Sequence, residues 1–269
     1  MTSATIIIPA FNAEAIIERS LQSIAALAAP GIEIVVVDDG STDATAALCA
    51  KYPVSLVRLA ANRGPAHARN FAARTAAGDL LVFLDADTCL ATGGLDRIVA
   101  AFDADPSLDA LVGAYDDQPA APGFVSQFRN LLHCFVHRTA RRDGSTFWSG
   151  CGAIRRSTFL EHGGFDEGYR RASIEDLELG YRLRRAARKI VIDPELQVKH
   201  LKRWTLFSMV RTDIRDRGVP WTELIFRERF MPDDLNLRIE QRLSVAAVFA
   251  LLLLLPVLAL STGPMFPRS

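Results

Sequence analysis

The chain has 269 residues, 31 of them basic and 31 acidic, so it carries no net charge at neutral pH. Without a global positive field, nucleic acid is excluded as the expected partner. Its four cysteines, Cys49, Cys89, Cys134 and Cys151, include no CxxC pair, which argues against a zinc site or a disulfide framework and for reduced thiols in a cytosolic domain.

The length suits one large α/β domain, or a domain plus an appendage. The N-terminal "ATIIIPAF" is too short for a secretory leader and lacks its charged flank, and "ATIIIPA" reads as a first strand. "NAEAIIERSLQSIAAL" has apolar residues at helical spacing, with Asn12 placed as its N-cap. "IEIVVVDD" is a second strand, "STDATAALCAKY" a second helix fed by Ser41, Thr42 and Asp43 as a capping cluster, and "VSLVRL" a third strand. "GPAHARNFAARTA" reads as a helix with Gly64 and Pro65 in its first turn, and "LLVFLD" as a fourth strand. Near-continuous apolar strands alternating with helices predict a parallel sheet covered on both faces. Such sheets bind ligands at the carboxyl ends of their strands, where two acidic pairs fall, Asp38 with Asp39 and Asp85 with Asp87.

Beyond Asp87 the alternation is less regular. "LDRIVAAFDAD" predicts a helix, "LDALVGAYD" a strand, and "PGFVSQFRNLLHCFVHRTARR" a long amphipathic helix. "TFWSGCGAIRRSTFLEHGGFDE" holds a strand and a Gly-rich loop, "IEDLELGYRLRRAAR" is a helix opened by two acids, and "KIVIDPELQVKH" gives two short strands. Over 204–231, bulky apolar and basic residues alternate as in helices lying in a membrane interface, with Trp204 and Trp221 as anchors. Residues 243–267 carry no charge and exceed the roughly 20 apolar residues that cross a bilayer. Arg238 and Arg242 precede that run, which places the domain on the cytoplasmic face of the cell membrane, anchored by a C-terminal transmembrane helix that Pro256 would kink.

Two adjacent carboxylates at a strand end suit a phosphoacceptor, a ribose clamp or a helix-capping cluster. No GxGxxG follows the first strand and no P-loop is present, which disfavours a dinucleotide-binding site. Asp85 and Asp87 are alternate residues on a chain leaving the sheet, so both carboxylates can face one point. Hard cations such as Mg²⁺ take one or two carboxylates together with substrate phosphate oxygens.

The segments "IIIPAFNAE", "VVVDDGSTD", "NRGPAHARN", "LDADT", "GCGAIRRSTFLEHGGFDE" and "EDLELGYRL" occur in the order and approximate spacing of family 2 glycosyltransferases, and residues 4–203 resemble that family. The resemblance implies an α/β GT-A fold with a mostly parallel central sheet, and an inverting, metal-dependent transfer from a nucleotide-diphosphate sugar. It implies that Pro9, Phe11 and Glu14 line a base and ribose pocket and that Asp38 and Asp39 hold the nucleotide. Asp87 would ligate Mg²⁺ or Mn²⁺ directly, Asp85 would bridge ribose and metal, and Arg69 would lie near the diphosphate. The metal would neutralise the leaving diphosphate. Asp176, beside Glu175, would be the base that takes the acceptor's proton. Gly150, Cys151 and Gly152 would let backbone approach a sugar, and His200 would add a metal or diphosphate ligand. Cys151 has no partner that would make it a nucleophile.

One departure matters. Processive synthases of this family carry QxxRW, and here Arg203 and Trp204 are present but Gln197 lies six residues before Arg203. Single-sugar transfer is therefore expected, with Arg203 and Trp204 near the substrate. The expected layout is a catalytic domain over 1–203, interface helices over 204–242 and a spanning segment over 243–267, with a lipid-linked or glycan acceptor. A nucleotidyltransferase of related fold would carry a basic Gly-rich loop at the first strand, which is missing. A non-catalytic membrane-anchored binding protein would not need all of Asp39, Asp85, Asp87 and Asp176.

Overall fold

The computed structural model describes residues 2–27, 30–233, 235 and 238–261, the stretch 256–261 by its backbone alone. The N-terminal half runs β1 (Ala4–Ala10), α1 (Ile17–Ala25), β2 (Ile32–Asp38), α2 (Thr45–Cys49), β3 (Ser55–Arg58), α3 (Pro65–Thr75) and β4 (Leu80–Leu84). Here the strands pair in parallel, β1 with both β2 and β4, and β2 with β3. Successive strand residues enter opposite cores. Ile6, Ile8, Val36 and Val82 pack on one face with α1, while Ile7, Val35, Val37 and Phe83 pack on the other with α3.

The second half is mixed. It comprises β5 (Thr88–Leu90), α4 (Gly94–Ala104), β6 (Leu108–Tyr115), α5 (Phe124–Arg138), β7 (Cys151–Arg155), α6 (Arg156–Glu161), α7 (Glu175–Arg185) and β8 (Lys189–His200). The eight strands form one sheet in the order β3-β2-β1-β4-β7-β6-β8-β5. β7 runs antiparallel to β4 and β6, β8 parallel to β6, and β5 antiparallel to β8. Two departures at β1 create the site. β2 leaves it on one side and β4 on the other, so a crevice opens at their carboxyl ends. β7 pairs Cys151 with Leu84, which delivers the preceding Trp148 and Ser149 to that same end, and β8 pairs His200 with Thr88.

Several local expectations are corrected. Helix α1 starts at Ile17 rather than beside Asn12. Asn12 adopts a left-handed φ of 48°, and its Oδ1 accepts the amide of Thr42. Helix α2 is five residues long and no side chain caps it at Ala44. Ser41 Oγ instead accepts the Asn12 amide, and Asp43 accepts the amide of Thr45. The "KIVIDPELQVKH" segment is one strand, β8, with register irregularities against β6 in place of a break. Strand β5 has only three residues, too few to show a period.

The chain continues as α8 (Leu206–Arg211), a π-helical segment (Thr212–Gly218), α9 (Val219–Glu228) and α10 (Ile239–Ser261). Trp204 and Trp221 are not outward anchors. Trp204 is buried, and Trp221 donates from Nε1 to the Tyr181 hydroxyl at 3.1 Å. Exposed apolar side chains of this arm include Leu206, Phe207, Val210, Ile214, Val219 and Phe226, and further ones lie along α10. Among the described residues no helix is long and apolar enough to cross a membrane. Helix α10 carries the described part of the expected spanning segment, and its part over 262–267 lies outside the described residues.

Candidate active site

The crevice is a cavity of about 470 Å³. Pro9 and Phe11 reach it from the end of β1, and Asp85, Ala86 and Asp87 from the end of β4. Ser149 and Trp148 come from the approach to β7, Glu175 and Asp176 from the start of α7, and His200, Lys202 and Trp204 from the end of β8. Thr212, Asp216 and Arg217 of the π-helical segment line it as well. An arginine pair and a hydroxyl hold that segment over the cavity. Arg129 binds Asp213 through both terminal nitrogens, at 2.5 and 3.1 Å, and Ser173 Oγ donates to the Asp216 carbonyl at 2.6 Å.

Arg69, on α3, is buried between two acids. Its terminal nitrogens donate to Asp85 Oδ1 at 2.6 Å and Glu175 Oε1 at 3.0 Å. Burial works against its charge, but Asp85, Glu175 and Asp176 together hold it more firmly protonated than a free arginine. The acids divide. Burial raises Asp85 despite Arg69, with the neighbouring Asp87 adding to the rise. Glu175 is raised by burial and by the adjacent Asp176 charge. Asp87 is half-buried, and burial would raise it, yet it is lowered because its hydrogen bond with His200 and the nearby Lys202 charge favour its anion.

Asp176 is aimed by three donors. Its Oδ2 accepts from the Ser149 amide at 3.0 Å and the Ser149 hydroxyl at 3.1 Å, and its Oδ1 accepts the Leu177 amide at 2.8 Å. These bonds fix its direction. Its place in the first turn of α7 also complements the helix dipole.

Expected metal ligands reduce to a pair. His200 Nε2 lies 3.3 Å from Asp87 Oδ2, and both line the cavity. Asp85 is not free to join them on equal terms, since Arg69 occupies its Oδ1. Among the described residues no group of three His, Cys, Asp or Glu side chains could hold a metal ion. One carboxylate and one imidazole still fit a hard cation that completes its shell with phosphate oxygens and water, which is how Mg²⁺ is commonly held at diphosphates.

Other expected residues stand elsewhere. Asp38 and Asp39 are buried and do not line the cavity. Asp38 accepts from the Ser41 amide and Arg58 Nε, Asp39 from the amides of Arg63 and Gly64. They shape the loops after β2 and before α3. Glu14 is exposed and accepts the Ala44 amide, so it steadies α2. Gly150, Cys151 and Gly152 are also outside the lining. A Cβ at Gly150 would sit 2.5 Å from the Trp148 ring, and one at Gly152 would sit 2.3 Å from the Trp148 carbonyl. These glycines make room for Trp148. Burial raises the Cys151 thiol far above its usual range, which removes it as a nucleophile. Arg203 is exposed and off the cavity, while Trp204 lines it.

An aromatic wall was not anticipated. Tyr115 stacks on His200 with centroids 4.5 Å apart, His133 stacks on His137 at 4.3 Å, and Trp148 meets Tyr115, His133 and His137 at about 5 Å. Burial lowers His137 to about 4, and burial with the neighbouring His137 lowers His133 well below its usual value. Asn130, His133 and His137 follow one face of α5 at helical spacing, a signal present in the sequence but overlaid by the apolar stripe of the opposite face.

A sheet with this switch point, acids on the β4 end and an acidic helix start across the cavity defines a GT-A-like α/β fold. The model of the family Glycosyl transferase family 2 matches residues 5–164, and the chain belongs to that family. Solved structures share the fold. The mannosyltransferase PcManGT from Pyrobaculum calidifontis, in complex with GDP-Man and Mn²⁺, aligns over 98% of this chain and 76% of its own, with a TM-score of 0.75 and 23% identity. S. aureus TarS 1–349 in complex with UDP-GlcNAc aligns over 77% of this chain and 60% of its own, with a TM-score of 0.58 and 20% identity. Among curated relatives, the succinoglycan biosynthesis protein ExoO of Rhizobium meliloti is 40% identical over 37% of this chain and 30% of its own length. A poly-beta-1,6-N-acetyl-D-glucosamine synthase of Staphylococcus aureus is 33% identical over 39% and 26%. The match thus spans about a third or less of these relatives.

Proposed function

We propose that this chain is an inverting glycosyltransferase that moves one sugar from a nucleotide-diphosphate sugar to a lipid-linked or envelope-glycan acceptor at the cytoplasmic face of the membrane. The observation that carries the reading is one cavity lined both by the Asp87–His200 pair and by an oriented Asp176. GDP-Man and UDP-GlcNAc in the structural neighbours, and succinoglycan biosynthesis in a curated relative, support the donor class and an envelope glycan.

The residues divide the work. Pro9 and Phe11 border the nucleotide end. Asp87 and His200 would hold a divalent cation, which when bound offsets the charge that builds on the departing diphosphate. Lys202, exposed beside Asp87 and lying over the Trp204 ring, adds a mobile positive charge at that end. Asp176 takes the proton of the acceptor hydroxyl. The acceptor oxygen then bonds to the anomeric carbon as the bond to the diphosphate breaks, and the electron pair leaves on phosphate. Attack from the face opposite the leaving group inverts the anomeric centre. Arg69 contacts both Asp85 and Glu175, so it fixes the spacing between those two acids.

The membrane location is supported by exposed Leu206, Phe207 and Val210 on α8, and by exposed apolar side chains through 243–255 on α10. Asp176→Asn tests the mechanism. It should lower kcat by roughly 10²–10⁴-fold while donor binding, read by calorimetry, stays as in the wild type. Retained turnover would remove Asp176 as the base. Product configuration by NMR tests inversion.

A further inference from the structure

We propose that Asn130 is a positioning residue that turns the His200 imidazole so that Nε2 faces Asp87 as a cation ligand. The proposal rests on the metal-assisted reading above and adds a residue from α5, 70 positions before His200, that touches neither donor nor acceptor.

Three restraints fix the ring. Asn130 and His200 are both buried, and Asn130 Oδ1 lies 2.7 Å from His200 Nδ1. Tyr115 stacks on the imidazole face with an interplanar angle of 9°, which sets the plane of the ring. Pairing of His200 with Thr88, and the bond from the Leu201 amide to the Asp87 carbonyl at 2.8 Å, set the backbone beneath it. Stacking fixes the plane, and only a bond at a ring nitrogen chooses which edge faces the cavity.

The chemistry of that bond decides the tautomer. A carboxamide oxygen accepts and cannot donate, so Nδ1 carries a hydrogen toward Asn130. Nε2 is then the nitrogen that meets Asp87 Oδ2, an acceptor 3.3 Å away, through a shared proton or through a cation that replaces it. Two acceptors at that separation repel unless a cation lies between them, either a proton or a metal ion. The opposite amide orientation would set an N–H against Nδ1, move the hydrogen to Nε2 and close that atom to a metal. Asn130 Nδ2 is buried with no partner, so no competing bond holds the amide away from this role. The arrangement matches the general pattern in which a ligating histidine is oriented through its other nitrogen.

The experiment uses Mn²⁺ alone, titrated into the full chain, with free Mn²⁺ read by electron paramagnetic resonance. Asn130→Ala should weaken Mn²⁺ binding by about 10–100-fold, and Asn130→Asp, which keeps an oxygen at Nδ1, should restore it. Circular dichroism checks that both variants fold. Cadmium NMR of the wild-type chain with nitrogen-labelled histidine gives a measurement that needs no substitution. Cd²⁺ should couple to Nε2 of His200 with the hydrogen on Nδ1. Coupling through Nδ1, no coupling to His200, or equal Mn²⁺ affinity in Asn130→Ala and the wild type overturns the positioning role. An Asp87→Ala variant that binds Mn²⁺ as well as the wild type sinks the metal-assisted reading, and this proposal with it.

Discussion

A guanidinium enclosed by two carboxylates, as Arg69 is by Asp85 and Glu175, remains charged because both acids favour its cation against the cost of burial. Removing one member leaves charges that burial penalises. Arg69→Met should therefore destabilise the fold by about 3–5 kcal/mol, read as a lower urea midpoint with an unchanged slope. Adding Glu175→Gln should recover part of that loss, because the second change removes one of the stranded charges. A double variant that loses the full sum of the two single changes would show that the residues act separately. Asp38, Asp39 and Glu14 teach a related lesson. Carboxylates placed like ligands are here consumed by backbone amides between 3 and 30 residues away. A sequence displays the acid but not the amide that claims it.

Helix α5 separates two environments. His133 and His137 line the cavity and Asn130 bonds His200, while Phe124, Phe128, Leu131, Leu132 and Phe135 are exposed around an apolar groove on its outer side. The inner face gives α5 a pH dependence. His137 donates from Nδ1 to the Gly113 carbonyl at 2.7 Å, and burial lowers it to about 4. An unfolded histidine titrates near 6.5, so the unfolded chain takes up this proton first as pH falls. The stability His137 contributes is complete above about pH 6.5 and is lost progressively toward pH 4, up to about 3 kcal/mol. Urea midpoints measured across that window should fall less steeply for His137→Gln than for the wild type. Matching slopes would contradict the assignment. At this scale the strands β1, β2 and β4 and the acidic start of α7 were legible, since continuous apolar runs and a charged first turn are local signals. What stayed hidden depended on tertiary partners. β5 is short, β8 runs straight through Pro194, and Trp204 and Trp221 look like membrane anchors until Ser126 and Tyr181 are seen beside them.

Across the whole molecule, apolar side chains lie exposed on the outer face of α5, on α8 and along α10. Arg238, at the start of α10, donates to the Thr139 carbonyl just past the end of α5, so the start of α10 sits against the end of α5. Exposed guanidinium groups of Arg203, Arg211 and Arg215 lie on the same arm as Leu206 and Phe207. Apolar insertion with adjacent arginines favours an anionic lipid surface. The full chain should co-float with vesicles containing anionic lipid. Substituting both Leu206→Ser and Phe207→Ser should lower the bound fraction at limiting lipid. Recovery of all the unsubstituted chain in the non-floating fractions would remove the membrane surface from the proposed function.

The pairing of His200 with Thr88 has a consequence for how the molecule comes into being. Asp176 and His200 lie far beyond β4, which ends at Leu84 and completes the parallel strands. A ribosome-bound chain could therefore complete the parallel half of the sheet, with Asp85 and Asp87 already at its edge, while still lacking both of their counterparts. Local parallel units can form as synthesis proceeds, but β5 has no partner until β8 arrives more than 100 residues later. Competence for chemistry would be acquired last, when β8 pairs with β5 and brings His200 beside Asp87.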